Sequence, residues 1–216
     1  MDISFLGHSS FRIKTKNATV ITDPFDPKMV GIKYPPIDAD IVTISHDHKD
    51  HNNTSAVKKV RKIISGPGEY EILDVSIIGI PSYHDNKSGE ERGRNVIYIY
   101  EADGLRLAHL GDLGHKLSDD VIEELGEINV LMIPVGGTVS LGAEEAMEVV
   151  RSIEPNIILP MHFWEEGMNK EAFEKLKSVD EFLKESGMSV EKMPKLSIKD
   201  IDMGDDSKVV LLERKE

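Results

Sequence analysis

The stretch "SHDHKDH", Ser45 to His51, places three imidazoles and two carboxylates between His46 and His51. It directly follows the apolar run Ile41-Val42-Thr43-Ile44. Left unpaired at the end of a buried strand, each such group would cost free energy to desolvate, so something must compensate them. A multivalent cation is the simplest candidate. In extended chain alternate residues share a face, so His46 and His48 can reach one cation. Asp50 and His51 lie just beyond, where a turn can aim them at a second. Imidazole with carboxylate suits zinc, manganese or iron. The plain alternative is a solvated polar loop, which the density of ligand-type residues at this spacing disfavours.

The remaining histidines and two aspartates sit in comparable places. His84 ends "IIGIPSYH", Asp112 ends "LRLAHLGD", His162 ends "NIILPMH" and Asp23 ends "ATVITD". Each follows an apolar segment where it meets a loop, which is where sites form on sheet scaffolds. Taken alone, His84, His109 or His162 would read as a satisfied core histidine. Alongside the H-x-H-x-D-H cluster, His84 and His162 read as further ligands.

These groups need a scaffold. The 216-residue chain suits one domain spanning 1–216, with 39% hydrophobic and 30% charged residues, as in ordinary soluble globular proteins. Lys and Arg total 26 against 39 Asp and Glu, a net charge of −13, which argues against generic binding to nucleic acid or anionic membranes. Bound divalent metal would offset part of that charge. The chain contains no cysteine, so neither disulfides nor thiolate ligands arise. The start "MDISFLGHSS" does not resemble a signal peptide, and no stretch approaches a membrane span, so a cytoplasmic location is expected.

The N-terminal part reads as short strands, "ISFLG", "SFRIKT", "ATVITD" and "DIVTIS", with a Pro/Asp-rich loop before the last. "SAVKKVRK" is expected to form a short helix capped by Asn53 or Thr54. Strands "KIIS", "VSIIGIPSY", "NVIYIYEA" and "LRLAHLG" follow. Beyond Gly111 helices and strands alternate: helices "SDDVIEELGE", "GAEEAMEVVRSIEP" and "NKEAFEKLKSVDEFLKES", strands "NVLMIPVGG" and "NIILPMHF", then "SVEKM" and "KVVLLE". Mixed sheets flanked by helices are the natural architecture.

The motifs "SHDHKDH", "SYHD", "HLGDLGH" and "PMHF", in that order, resemble the metallo-β-lactamase superfamily. With "LGHSSFRI", "VITDPF" and "IPVGGT", they are similar to a branch of small stand-alone metal-dependent hydrolases related to L-ascorbate-6-phosphate lactonase. The resemblance implies an α/β fold, a four-layered αββα sandwich of two mixed sheets flanked by helices. It implies a first divalent metal at His46, His48 and His84, a second at Asp50, His51 and His162, and Asp112 bridging them. Asp23 would orient the "HDHKDH" loop. His48 stands where the di-iron oxygen-reducing branch carries Glu, which argues against redox chemistry.

Two such cations, most naturally zinc with manganese, nickel or iron as alternatives, can share and acidify a water. The expected activity is hydrolysis, by a bridging hydroxide, of a small anionic ester, lactone or phosphate ester. Asp50 would also orient that hydroxide; the resemblance implies that His115 lies near the site as a proton donor to the leaving group, a solvated loop residue being the equal alternative. A phosphodiesterase or nuclease on the same fold and a non-catalytic metal-binding protein are the rivals, and a homo-oligomer stays open. His8 could reach a pocket rim or be a loop residue; His109 suits a core role. The "NKSGEERGR" loop could act as a lid, with Arg92 and Arg94 facing an anion, although Glu90 and Glu91 could consume that charge. Phe163 and Trp164 could wall a pocket or simply pack, and "PVGGT", 134–138, could offer backbone N–H groups or only form a tight turn.

Overall fold

The computed structural model describes residues 1–199 and 206–215. Strands β1 (Asp2–Gly7), β2 (Ser10–Lys14) and β3 (Thr19–Thr22) lead through helix α1 (Pro27–Val30) to β4 (Ile37–Asp38) and β5 (Ile41–Thr43). Then come β6 (Val57–Lys58), β7 (Lys62–Ile64), β8 (Gly68–Ile72), β9 (Val75–Tyr83), β10 (Arg94–Ala102) and β11 (Leu105–His109). The rest alternates: α2 (Asp119–Leu125), β12 (Val130–Pro134), α3 (Ala143–Ile153), β13 (Ile157–Met161), α4 (Lys170–Phe173) and α5 (Val179–Ser186), ending in β14 (Val190–Met193), β15 (Leu196–Ser197) and β16 (Lys208–Leu212).

Two mixed sheets form, in strand orders β15-β1-β2-β3-β5-β7 and β14-β16-β13-β12-β11-β10-β9-β8. The period-2 pattern decides which face each strand buries. Ile3, Phe5, Val20 and Ile41 join the main core between the sheets, while Leu6, Ile21 and Val42 point to the opposite face of the first sheet. Tyr98 and Tyr100 of β10 cross the interface. The Tyr98 hydroxyl donates to the Ile44 carbonyl at 3.1 Å, and the Tyr100 hydroxyl meets Thr43 Oγ1 at 2.7 Å. Buried hydroxyls are thereby satisfied, and β10 is locked against β5 and the residues that lead from it to His46.

Helices α2, α3 and α5 flank the second sheet, contributing Leu125, Val150 and Phe182 to the core. Phe182 is fully buried, worth ~1.5–3 kcal/mol relative to exposure. The outer face of the first sheet is covered more thinly, by the small parallel pair β4–β6 with Ala39 and Val57. Short helices α1 and α4 pack Val30 against Phe173 beside Phe25, Met168 and Leu176. The two mixed sheets with flanking helices agree with the sandwich expected from sequence.

Three local expectations change. "SAVKKVRK" is not a helix: a single 3-10 turn, Thr54–Ala56, gives way to β6 and then β7. Val57 pairs beside Ile37 and Ile63 beside Val42, so tertiary pairing overrides a weak helical pattern. The long C-terminal helix breaks into α4 and α5, because Phe173 and Leu176 turn toward α1 while the Lys177 amide bonds the Gly136 carbonyl. Strand β8 is an addition. It returns to β9 through Leu73 and Asp74, at φ 52° and 59°, a left-handed pair without the glycine that normally marks such a turn.

Candidate metal centre

Five strand ends deliver the site. Asp23 follows β3, His46 follows β5, His84 follows β9, Asp112 follows β11 and His162 follows β13. Because parallel strands β3 and β5 are neighbours in one sheet, and β11, β12 and β13 in the other, their C-terminal ends open at one rim.

Asp112 Oδ2 is the point of convergence. It lies 3.2 Å from His51 Nε2, 3.2 Å from His84 Nε2, 3.1 Å from His162 Nε2 and 3.8 Å from His46 Nε2. Ligating atoms of His46, His48 and His84 fall within 4.8 Å of one another, and so do those of His8, Asp50, His51 and His162. Asp50 Oδ2 stands 3.6 Å from His51 Nε2. All seven residues expected as ligands from sequence are thus gathered in one place around Asp112; His8 joins the Asp50 group, and a third set, Asp23, His46 and His51, spans both.

Asp23, 1% exposed, holds both groups in orientation. Its carboxylate accepts from the Ser45 amide at 2.8 Å, the Ser45 hydroxyl at 2.5 Å and His51 Nδ1 at 2.9 Å. His46 Nδ1 in turn donates to Ser45 Oγ at 2.9 Å. One carboxylate therefore fixes the tautomers of His46 and His51 so that Nε2 of each faces Asp112. Yet Nε2 of His46, His51 and His162 is buried without a hydrogen-bond partner among the described residues. Orphaned imidazole nitrogens converging on a carboxylate fit a divalent cation, whose bonds would satisfy them.

Charge tells the same story. Burial, reinforced by the charge of His51, pushes His46 down to about 2. Burial alone would raise Asp112, but His162 and His51 outweigh it and hold the carboxyl well below the usual range. Burial would also lower His51, but Asp112 and Asp50 raise it well above its ordinary value. The carboxylates that favour positive charge at His51 would favour a cation beside it in the same way.

Two residues given no site role in the sequence build the Asp112 turn. Asn95, 1% exposed, accepts from the Asp112 amide at 3.1 Å and donates to the Leu110 carbonyl at 2.9 Å and Ser82 Oγ at 2.8 Å. Gly111 has φ 57°, and a Cβ there would sit 2.3 Å from Asn95 Oδ1. Ser45, though it opens the quoted motif, carried no assigned role in the sequence. No one-dimensional signal separates Asn95 or Ser45 from surface polar residues; only their burial does.

His8 is neither rim nor loose loop: it is 1% exposed, with Nε2 3.2 Å from Asp50 Oδ2. His109 is structural, as Nε2 donates to the Ser9 carbonyl at 2.8 Å and Nδ1 accepts from the Gly111 amide. His115 is not brought to the centre. Its Nε2 accepts from the Tyr83 amide at 3.2 Å and its Nδ1 donates to the Lys116 carbonyl at 2.7 Å, so backbone engages both ring nitrogens. Phe163 stacks on Phe5 and Trp164 packs with the α1–α4 cluster. In "PVGGT" the amides of Val135 and Gly137 are spent on Met161 and Leu141, and a Cβ on Gly136 would meet the His162 carbonyl at 2.1 Å. That segment serves close packing beneath His162.

A cavity of about 580 Å³ opens over the centre. His48, Asp50, His84 and Asp112 line it, with Met29, Val139, Phe173 and Leu176 as apolar wall. Lys49, Arg92 and Lys175 reach its mouth, as do Asp47, Glu171 and Glu174. Arg92 arrives on the expected lid loop, which is tightly organised: Asp85 accepts backbone N–H bonds from Lys87, Gly89, Glu91 and Arg92 at 2.8–3.1 Å. Glu91 pairs with Lys87, and Arg92 has no ion pair among the described residues. Arg94 is exposed at the start of β10, outside the cavity lining.

Similarity to known proteins agrees with this geometry. A "metal-dependent hydrolase" of Methanopyrus kandleri is 29% identical over 196 residues, covering 76% of this chain and 84% of its own length. A solved Thermotoga maritima protein, described as a Zn-dependent hydrolase of the metallo-β-lactamase superfamily, is 35% identical with a TM-score of 0.80, covering 98% of this chain and 97% of its own. A metallo hydrolase of Ignicoccus hospitalis shares the fold at 20% identity, with a TM-score of 0.69 over 100% of this chain and 96% of its own. The family description "Beta-lactamase superfamily domain" matches residues 2–162, a span that carries every residue of the centre from His8 to His162. The chain belongs to the beta-lactamase superfamily.

Proposed function

We propose that this protein is a metal-dependent hydrolase of a small, anionic ester, lactone or phosphate ester, acting as a single domain over 1–216. His46, His48 and His84 would hold one divalent cation, Asp50, His51 and His162 a second, with Asp112 shared between them. Such a pair, zinc by analogy with the Thermotoga relative, supplies Lewis acidity and an acidified water when bound. The observation that carries the reading is the set of buried, partnerless Nε2 atoms of His46, His51 and His162 around one carboxylate. An ordinary core does not strand three imidazole nitrogens together.

The chain's own residues do the rest. Asp23 and Ser45 orient His46 and His51. Met29, Val139, Phe173 and Leu176 exclude water from one side of the substrate, and Arg92 with Lys49 offers charge to an anionic group. The interleaved Asp47, Glu171 and Glu174 disfavour a long polyanion, so a small molecule suits the mouth better than nucleic acid. Metal analysis of the native protein, coupled to a panel of lactones, phosphomonoesters and phosphodiesters, tests the proposal. Two equivalents of metal and a chelator-sensitive hit are expected; activity surviving complete metal removal would overturn it.

A further inference from the structure

Histidine 8 lies in the turn between β1 and β2, with a left-handed backbone at φ 56°. Its carbonyl accepts from the His162 amide at 2.8 Å. The ring is packed against His162, His51 and Phe173, with centroids 4.3, 5.0 and 5.2 Å away. Histidine is among the residues that adopt this backbone region, and here the turn carries its ring inward, sealed from solvent. Its one side-chain hydrogen bond among the described residues joins Nε2 to Asp50 Oδ2 at 3.2 Å; Nδ1 has no partner.

We propose that His8 is a positioning residue whose Nε2–H donates to Asp50 and fixes that carboxylate at the second cation position. The inference rests on the two-cation reading of the site. Chemistry assigns the proton. Were the ring protonated on Nδ1 alone, that N–H would be buried without an acceptor, and an Nε2 lone pair would face a carboxylate oxygen. Protonation on Nε2 removes both conflicts, and a doubly protonated ring would donate from Nε2 as well. Although its ring nitrogen lies in the same cluster as those of His51 and His162, a proton kept on Nε2 when the cation binds leaves His8 to support Asp50 instead of ligating. Among residues gathered there, Asp50 most needs such support: it stands on a loop after two exposed residues, His48 and Lys49, with no other side-chain hydrogen bond among the described residues.

Two substitutions separate this role from simple space filling. In His8→Gln the side-chain amide reaches the position of Nε2 and keeps a donor. In His8→Asn the amide ends near the position of Nδ1 and falls short, although asparagine tolerates φ 56° well. Zinc affinity is read by chelator competition on the full-length protein, with folding checked by near-UV circular dichroism. His8→Asn should weaken the second zinc equivalent about tenfold and leave the first unchanged, the scale expected for an outer hydrogen-bond partner. His8→Gln should stay within about threefold of wild type. Equal affinity of His8→Asn and wild type would overturn the proposal, as would a His8→Gln variant as weak as His8→Asn. Should both variants fail to fold, ¹⁵N NMR of wild-type imidazoles decides: an Nε2–H tautomer at His8 is expected with and without zinc. An Nδ1–H tautomer with a zinc-bound Nε2 would make His8 a ligand and refute the positioning role. Wild-type protein binding fewer than two equivalents would instead refute the two-cation reading, while the NMR tautomer still tests the bond to Asp50.

Discussion

Replacing Asp23 should separate the stability of the fold from the capacity to bind metal. Asp23→Ala strands three buried donors at once: the Ser45 amide, the Ser45 hydroxyl and His51 Nδ1–H. At ~1–3 kcal/mol for each unsatisfied group, with some relaxation, the metal-free protein should lose about 3–6 kcal/mol. Asp23→Asn keeps the size and an oxygen for the Ser45 amide, so the loss of stability should be smaller. Its NH₂, however, would confront His51 Nδ1–H, and the ring must shift its proton to Nε2 to accept from it. Nε2 is the atom that faces Asp112 at 3.2 Å, so the ligating nitrogen becomes capped. Affinity for the second cation should then fall about 10–100-fold, which is ~1.4–2.7 kcal/mol. Urea unfolding in chelator measures the first quantity, and competition against a chromogenic chelator the second. An Asn variant that binds two cations with wild-type affinity would refute the account of how Asp23 sets the His51 tautomer. An Ala variant with the wild-type urea midpoint would refute the stability estimate.

Arg92→Ala should raise KM about tenfold for an anionic substrate and leave a neutral analogue unaffected, since one charge-assisted hydrogen bond is worth ~1.5 kcal/mol; steady-state kinetics on the matched pair checks it. Gly111→Ala should destabilise the protein by about 2–4 kcal/mol, because a Cβ at φ 57° meets Asn95 Oδ1 at 2.3 Å and Ser45 Cβ at 2.6 Å; urea midpoints would report it. The loop from Asp85 to Arg92 should loosen in acid. Burial opposes ionisation, but four backbone N–H bonds, that of Arg92 foremost, hold the Asp85 carboxyl down at about 2. A depressed folded value means the stabilisation is complete above the unfolded value, near ~3.9, and is lost as pH falls toward about 2. Hydrogen exchange at Lys87, Gly89, Glu91 and Arg92 should lose protection between pH ~4 and ~2, ahead of the β10 amides; simultaneous loss would contradict a local origin.

What was legible in the chain was chemistry with a short period. His46-x-His48 shares a face because strands repeat every two residues, and His84, Asp112 and His162 announce themselves by ending apolar runs. The sheets were legible for the same reason: Ile3 and Phe5 alternate with neighbours that face the other side. What tertiary structure alone decided depends on distant partners. Val57 and Ile63 became strand residues because Ile37 and Val42 offered open edges, which no local propensity encodes. His115, adjacent in sequence to the Asp112 turn, was drawn away to the Tyr83 backbone, whereas His8, more than 30 residues from any other histidine, was folded against Asp50. Asn95 and Ser45 acquired their roles only through burial, since a polar side chain becomes an organiser where water can no longer satisfy its neighbours. Sequence fixes which groups can bind a cation; long-range packing selects which of them meet, because convergence in space is set by strand order and not by distance along the chain.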